Sequence, residues 1–281
     1  MRAGYFRDLA QVRNRYVAVV KGEPNSTGGT DIRLVTSSDG RIWDPVDIGD
    51  SYAVSVAGDE SGAIALTRSL TDSSQLVWYS RDGSDWEIQT SSIDALLHTP
   101  VMVQGVFYAV AEADDQRVLY ASAHGANWVS VELPESLRAG TFLYPGEVMG
   151  NLALFALHGS GPAGPEVWIK PRLADWIDVT PPEFDPLPGP LFEPIVSSNL
   201  GSAFIVDPGY ENRVLATPAV IWVVGDPPWV PIAMDDVVGI EGSVQAAAAL
   251  DHKIVILYQA WGSGSMSLWT GEIIDSQTPD S

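Results

Sequence analysis

Apolar runs of a few residues, each closed off by turn residues, recur along the whole chain. Residues 52–57, 63–67, 76–80 and 86–89 form one such group, separated by Gly58-Asp59-Glu60-Ser61-Gly62, by a polar stretch at 70–75 and by Asp82-Gly83. Runs this short, rich in β-branched and aromatic residues, predict strands; an amphipathic helix would need its apolar residues spread over several turns. The same grouping returns at 6–12, 16–20, 32–36 and 43–46, and again at 101–103, 106–111, 117–122 and 128–132. Between the first and second strand of successive groups stand tight-turn sequences: Arg13-Asn14-Arg15, Gln104-Gly105, Gly150-Asn151, Asn199-Leu200-Gly201 and Asp251-His252.

The groups repeat in register. Ser37-Ser38-Asp39-Gly40-Arg41-Ile42-Trp43, Ser80-Arg81-Asp82-Gly83-Ser84-Asp85-Trp86 and Ser122-Ala123-His124-Gly125-Ala126-Asn127-Trp128 place their tryptophans 43 and 42 residues apart. Looser copies end at Trp176, 48 residues on, and at Trp229, a further 53 on. A period of this size, with four short strands per unit and no amphipathic helix, predicts an all-β chain: a six-bladed β-propeller of four-stranded antiparallel blades. The blades fall at about 4–48, 49–90, 98–134, 141–181, 191–234 and 240–276 of a single domain spanning 1–281. The sixth unit has Trp269 in its third strand and no motif tryptophan after it, so the last blade is read as incomplete or closed by a terminal segment. Residues 180–190, rich in proline, read as a stiff connection between blades, and 277–281 as a polar tail.

The repeated element reads as a turn-builder. Asp39 and Asp82 are placed to accept hydrogen bonds from the backbone N–H groups that follow them. Gly40, Gly83 and Gly125 supply positive φ. Trp43, Trp86, Trp128, Trp176 and Trp229 open the fourth strand, where an indole packs between neighbouring blades. With Ser37, Ser80 and Ser122 these residues are assigned to structure. The Ser-x-Asp-Gly-x-x-Trp pattern resembles the Asp-box, or bacterial neuraminidase repeat, of sialidase-like β-propellers, in a form shortened by one residue between Asp and Gly. The resemblance implies turns at the periphery, away from a central site. It also names what a sialidase-like hydrolase would need: three arginines converging on a carboxylate, a Tyr–Glu nucleophile pair and an acidic Asp, usually with an Arg-Ile-Pro element near the start. The early arginine here stands in Phe6-Arg7-Asp8-Leu9, and Arg33, Arg81, Arg117 and Arg213 fall beside or inside third strands, so no catalytic residue is assigned.

Charge narrows the partners. With 15 Lys+Arg against 36 Asp+Glu the chain carries −21, and no window clusters bases as a phosphate-binding surface requires, which excludes nucleic acid and disfavours an anionic membrane. No apolar run reaches the length of a membrane span, and the first residues carry charges where a secretory leader has its apolar stretch. Without cysteine there is no disulfide or thiolate chemistry. The four histidines, at 98, 124, 158 and 252, show no metal-ligand spacing, so neither metal nor cofactor is expected. Acidic stretches at 112–115 and 235–236 lack the spacing of a calcium loop.

Function is therefore expected on loops. If first and third strands run one way, the loops joining second to third strands and those joining blade to blade share one end. Tyr210, Trp261, Asp114, Asp115 and Arg117 are the candidate binding residues there, aromatic faces for stacking on sugars and polar groups for hydroxyls. The leading expectation is a non-enzymatic interaction or structural module with protein partners in a larger assembly, of virion (phage tail-tip) or cell-surface-recognition type, located in a virion or the cytoplasm. A sialidase-like glycoside hydrolase and a lectin-like binder of surface glycans are the alternatives.

Overall fold

The computed structural model describes residues 5–24, 30–113, 116–137, 141–148, 150–158 and 166–180, and beyond them the strand backbones at 195–198, 201–206, 220–223, 230–233, 242–250, 253–260 and 266–272. The chain divides into two compact units, Met1–Gly140 and Thr141–Ser281.

The first unit holds three sheets, each made of four consecutive antiparallel strands. The first sheet comprises β1 (Tyr5–Val12), β2 (Arg15–Pro24), β3 (Thr30–Ser37) and β4 (Asp44–Pro45). The second comprises β5 (Ser51–Asp59), β6 (Gly62–Ser69), β7 (Gln75–Ser80) and β8 (Glu87–Gln89). The third comprises β9 (Leu97–Val103), β10 (Val106–Ala113), β11 (Gln116–Ser122) and β12 (Val129–Val131), followed by a 3₁₀ turn at Glu135–Leu137.

Strand β6 shows why the sheets stack. It is apolar on both sides: Ala63 and Ala65 join a buried cluster with Val12, Val17, Val19 and Leu34 of the first sheet, while Ile64 and Leu66 join Leu97, Phe107, Ala109 and Ala111 of the third. Alternation of side chains along one strand thus supplies two interfaces. The outermost strands are two or three residues long, which leaves little free edge.

At the inner side of the sheets, one end is tied. The turns between first and second strands link from sheet to sheet: Arg13 Nε donates to the Glu60 carbonyl at 3.3 Å, and the Gly105 N–H donates to Asp59 Oδ2 at 3.3 Å. Toward the other end, each inner strand departs from regular pairing. Arg7 bulges from β1 and Val54 from β5. In β9, Thr99 and Pro100 together oppose the single residue between Tyr108 and Val110. The sequence reading begins this strand at 101, because a proline argues against an inner strand; the bulge is what lets β9 start at Leu97 and carry Pro100.

The second unit contains a sheet of β13 (Thr141–Val148), β14 (Asn151–His158), β15 (Glu166–Lys170) and β16 (Ile177–Asp178). Four blades are thus described with side chains, where the sequence reading counts six. Two further sheets are described as backbone: β17 (Ile195–Ser198), β18 (Gly201–Val206), β19 (Val220–Val223) and β20 (Val230–Ala233), then β21 (Gly242–Leu250), β22 (Lys253–Ala260) and β23 (Met266–Glu272). The last has three strands, and β21 repeats the inner-strand bulge at Gln245.

Candidate functional site

Two kinds of polar geometry stand out, one repeated and one not. The repeated one is the turn between third and fourth strands. Ser37 Oγ accepts from the Gly40 N–H at 2.9 Å, and Asp39 Oδ1 accepts from the N–H groups of Arg41 and Ile42 at 2.8 and 2.9 Å. The Trp43 indole N–H closes the loop on the Gly40 carbonyl at 3.2 Å. The second copy repeats each bond: Gly83 N–H to Ser80 Oγ at 2.8 Å, Ser84 and Asp85 N–H to Asp82 Oδ1 at 2.8 and 3.1 Å, and the Trp86 indole to the Gly83 carbonyl at 3.3 Å. Donation by two backbone N–H groups holds both carboxyls below the usual carboxylate range.

The third copy keeps two of these three locks. Gly125 N–H donates to Ser122 Oγ at 3.0 Å and the Trp128 indole to the Gly125 carbonyl at 2.8 Å. His124, in the aspartate's place, sets its ring against Tyr79 of the neighbouring blade, centroids 5.2 Å apart. Serine as acceptor and indole as donor are roles the sequence reading does not assign.

These turns also join blades. Thr36 Oγ1 of the first blade donates to the Gly83 carbonyl of the second at 2.9 Å. A Cβ on Gly83 would lie 3.2 Å from Val17 Cγ2, and one on Gly125 would lie 2.7 Å from Val77 Cγ1, again in the preceding blade. Trp86 packs on the cluster between first and second blades, and Trp128 is buried in that between second and third. Trp43 and Trp176 are half-buried; Lys170 Nζ lies 5.5 Å from the Trp176 ring centroid. The tryptophans immediately precede their fourth strands rather than opening them. Trp229 lies outside the described residues.

The unrepeated geometry lies at the end opposite the linked turns, between the second and third blades. Gln75, at the start of β7, grips the backbone of Leu97 in both directions: its Nε2 donates to the Leu97 carbonyl at 2.8 Å, and the Leu97 N–H donates to its Oε1 at 2.7 Å. Next to Leu97 come His98 and then Thr99, a β-branched residue held at φ +43° immediately before a proline. Both features disfavour that backbone. Around the imidazole stand Arg68 at the end of β6, Arg117 at the start of β11 and Glu112, paired across the strands with Arg117. Burial, aided by the two guanidiniums and opposed by Glu112, holds the His98 pKa below its ordinary value. The adjoining 70–74 hairpin is built around Asp72, whose carboxyl accepts from the backbone and hydroxyl of Ser74 and is brought down to about 2.

Of the candidate binding residues, Arg117 sits in this cluster, half-buried; Asp114, Asp115, Tyr210 and Trp261 lie outside the described residues. The sequence reading passes over Arg68, Gln75 and His98. The one available signal was a His-Thr-Pro lead-in to an otherwise apolar inner strand. Among the described residues no group of three or more His, Cys, Asp or Glu is placed to hold a metal ion, and no helix is long and apolar enough to cross a membrane.

No family model matches the chain, and no curated protein sequence does. Solved structures do. The β-propeller domain of the Trilobed protease from Pyrococcus furiosus, described as having an open velcro topology, superposes with a TM-score of 0.63 at 10% identity, over 96% of this chain and 81% of that one. The acylaminoacyl peptidase of Pyrococcus horikoshii gives a TM-score of 0.63 at 13% identity over 98% of this chain, which spans only 46% of that enzyme. A mutant Trypanosoma rangeli sialidase with trans-sialidase activity gives 0.53 at 13% identity, over 96% of this chain and 54% of that one. At these identities the likeness is one of fold: a β-propeller of four-stranded antiparallel blades.

Proposed function

We propose that this chain is a six-bladed β-propeller, its last blade three-stranded, that serves as a non-enzymatic interaction module. Its turns are of the Asp-box type and structural, and recognition falls to the end where second-to-third-strand loops and blade-to-blade loops gather. The observation that carries the reading is the employment of the motif's polar groups. Serine, aspartate and indole are each engaged within the turn, and the glycine carbonyl of the second copy is bonded from the next blade. The opposite end differs from blade to blade, as a surface selected for a particular partner would.

Each of the six sheets is built from consecutive strands, so a ring of them closes by packing rather than by strand exchange. Within this class we favour a component of a larger assembly, a virion of the phage tail-tip type or another cell-surface-recognising particle. The acidic, cysteine-free composition suits such a particle. Gel filtration of a native extract tests the reading: the chain should elute with a complex far larger than 30.2 kDa. Elution as a monomer would contradict it. So would turnover of fluorogenic sialosides that is lost on Arg7→Ala, which would instead establish the sialidase-like alternative.

A further inference from the structure

We propose that the cleft-side cluster of Arg68, His98 and Arg117, between the second and third blades, binds the oxyanion group of a small ligand, a carboxylate or a phosphate. The proposal rests on reading this end of the propeller as the recognition end.

Three observations carry it. The first is convergence. Arg68 comes from β6 and is paired with Tyr52 and Gln75, Arg117 comes from β11, and His98 comes from the inner strand β9, so residues distant in sequence bring two guanidiniums to bear on one imidazole. Glu112 is the one carboxylate among the described residues that acts on that imidazole, leaving two cations to one anion in a chain of net charge −21. Guanidiniums are the groups best matched to a planar or tetrahedral oxyanion, and a neutral imidazole adds a ring N–H donor.

The second observation is rigidity. Gln75 fixes Leu97 by two hydrogen bonds from the adjacent blade, and the bulge beyond it holds Thr99 in a left-handed conformation that its branched Cβ opposes. Strain of that kind persists only where the surroundings over-determine the backbone, and a preorganised donor set is what anion selectivity needs. The third is that the bulge recurs in β1, β5 and β21 with different residues, Arg7, Val54 and Gln245, so the scaffold is common and the chemistry at this copy is its own.

The test follows the imidazole signals of His98 by NMR during titration with sodium phosphate and, separately, sodium acetate, with sodium chloride holding ionic strength constant. His98→Gln assigns the signals among the four histidines. A saturable displacement of the His98 signals by at least one anion is expected, with those of His124 unmoved; which anion acts separates a phosphate from a carboxylate ligand. In Arg68→Ala and in Arg117→Gln the apparent affinity should fall about tenfold or more, the size of one lost charge-assisted hydrogen bond. Should Arg68→Ala fail to fold, Arg117→Gln decides. A linear drift with both anions, or saturation unchanged in the variants, would overturn the proposal. Co-elution with a large assembly in the native extract would survive that result, so the two readings fail separately.

Discussion

A carboxylate that accepts two backbone N–H bonds at a turn stabilises the fold only while ionised. Asp39 and Asp82 are held below their ordinary value by such bonds, and Asp72 is brought to about 2 by Ser74. Their contribution is therefore complete above the unfolded-state pKa, near 3.8, and is lost as pH falls through the lower folded-state values. Chemical denaturation at a series of pH values should show the midpoint dropping below about pH 4, and Asp82→Asn should lessen that drop. An unchanged acid limb in Asp82→Asn would mean the turn bonds contribute nothing. The indoles grade differently. Trp128 is buried and Trp86 and Trp43 only half so, so Trp128→Ala should cost about 3–5 kcal/mol, Trp86→Ala less and Trp43→Ala least. Urea unfolding followed by circular dichroism checks the ranking, which equal losses would refute.

At the level of the element, the motif glycines separate backbone freedom from packing. Gly40 at φ +69° and Gly125 at φ +78° have similar conformations, but an added Cβ would lie 3.7 Å from the Tyr16 ring at Gly40 and 2.7 Å from Val77 at Gly125. Both alanine variants should lose about 1–2 kcal/mol for the left-handed backbone, and Gly125→Ala a further 1–3 kcal/mol or so for overpacking a blade interface. Equal midpoints for the two in urea would remove the interface role. The strand runs, the motif turns and their spacing were legible in the sequence because each rests on local chemistry: an Asp-Gly turn, a period-2 strand, a tryptophan in fixed register. What was hidden is non-local. That Gln75 grips Leu97 of the next blade, or that Thr36 bonds across to Gly83, follows from the stacking of sheets and leaves no mark in either segment alone. The start of β9 was missed because Pro100 reads as a strand-breaker until the bulge is seen.

For the molecule as a whole, the two ends of the first unit's sheets differ in kind. One is bound from blade to blade through Arg13, Glu60, Asp59 and Gly105, and the other carries a strained bulge, an acid-resistant Asp72 hairpin and a charged cluster that no other described blade repeats. Legibility of the site was correspondingly low. Arg117 was within reach of the sequence, whereas its companions Arg68 and His98 are 49 and 19 residues away and meet it only through the fold. The most direct test of the division between structural turns and a recognising end is hydroxyl-radical footprinting of the chain in its native extract against the purified chain. The account predicts protection at 68–75, 97–100 and 112–117, with the motif turns at 37–43, 80–86 and 122–128 unchanged. Protection centred on those turns, or no difference between the two states, would contradict it.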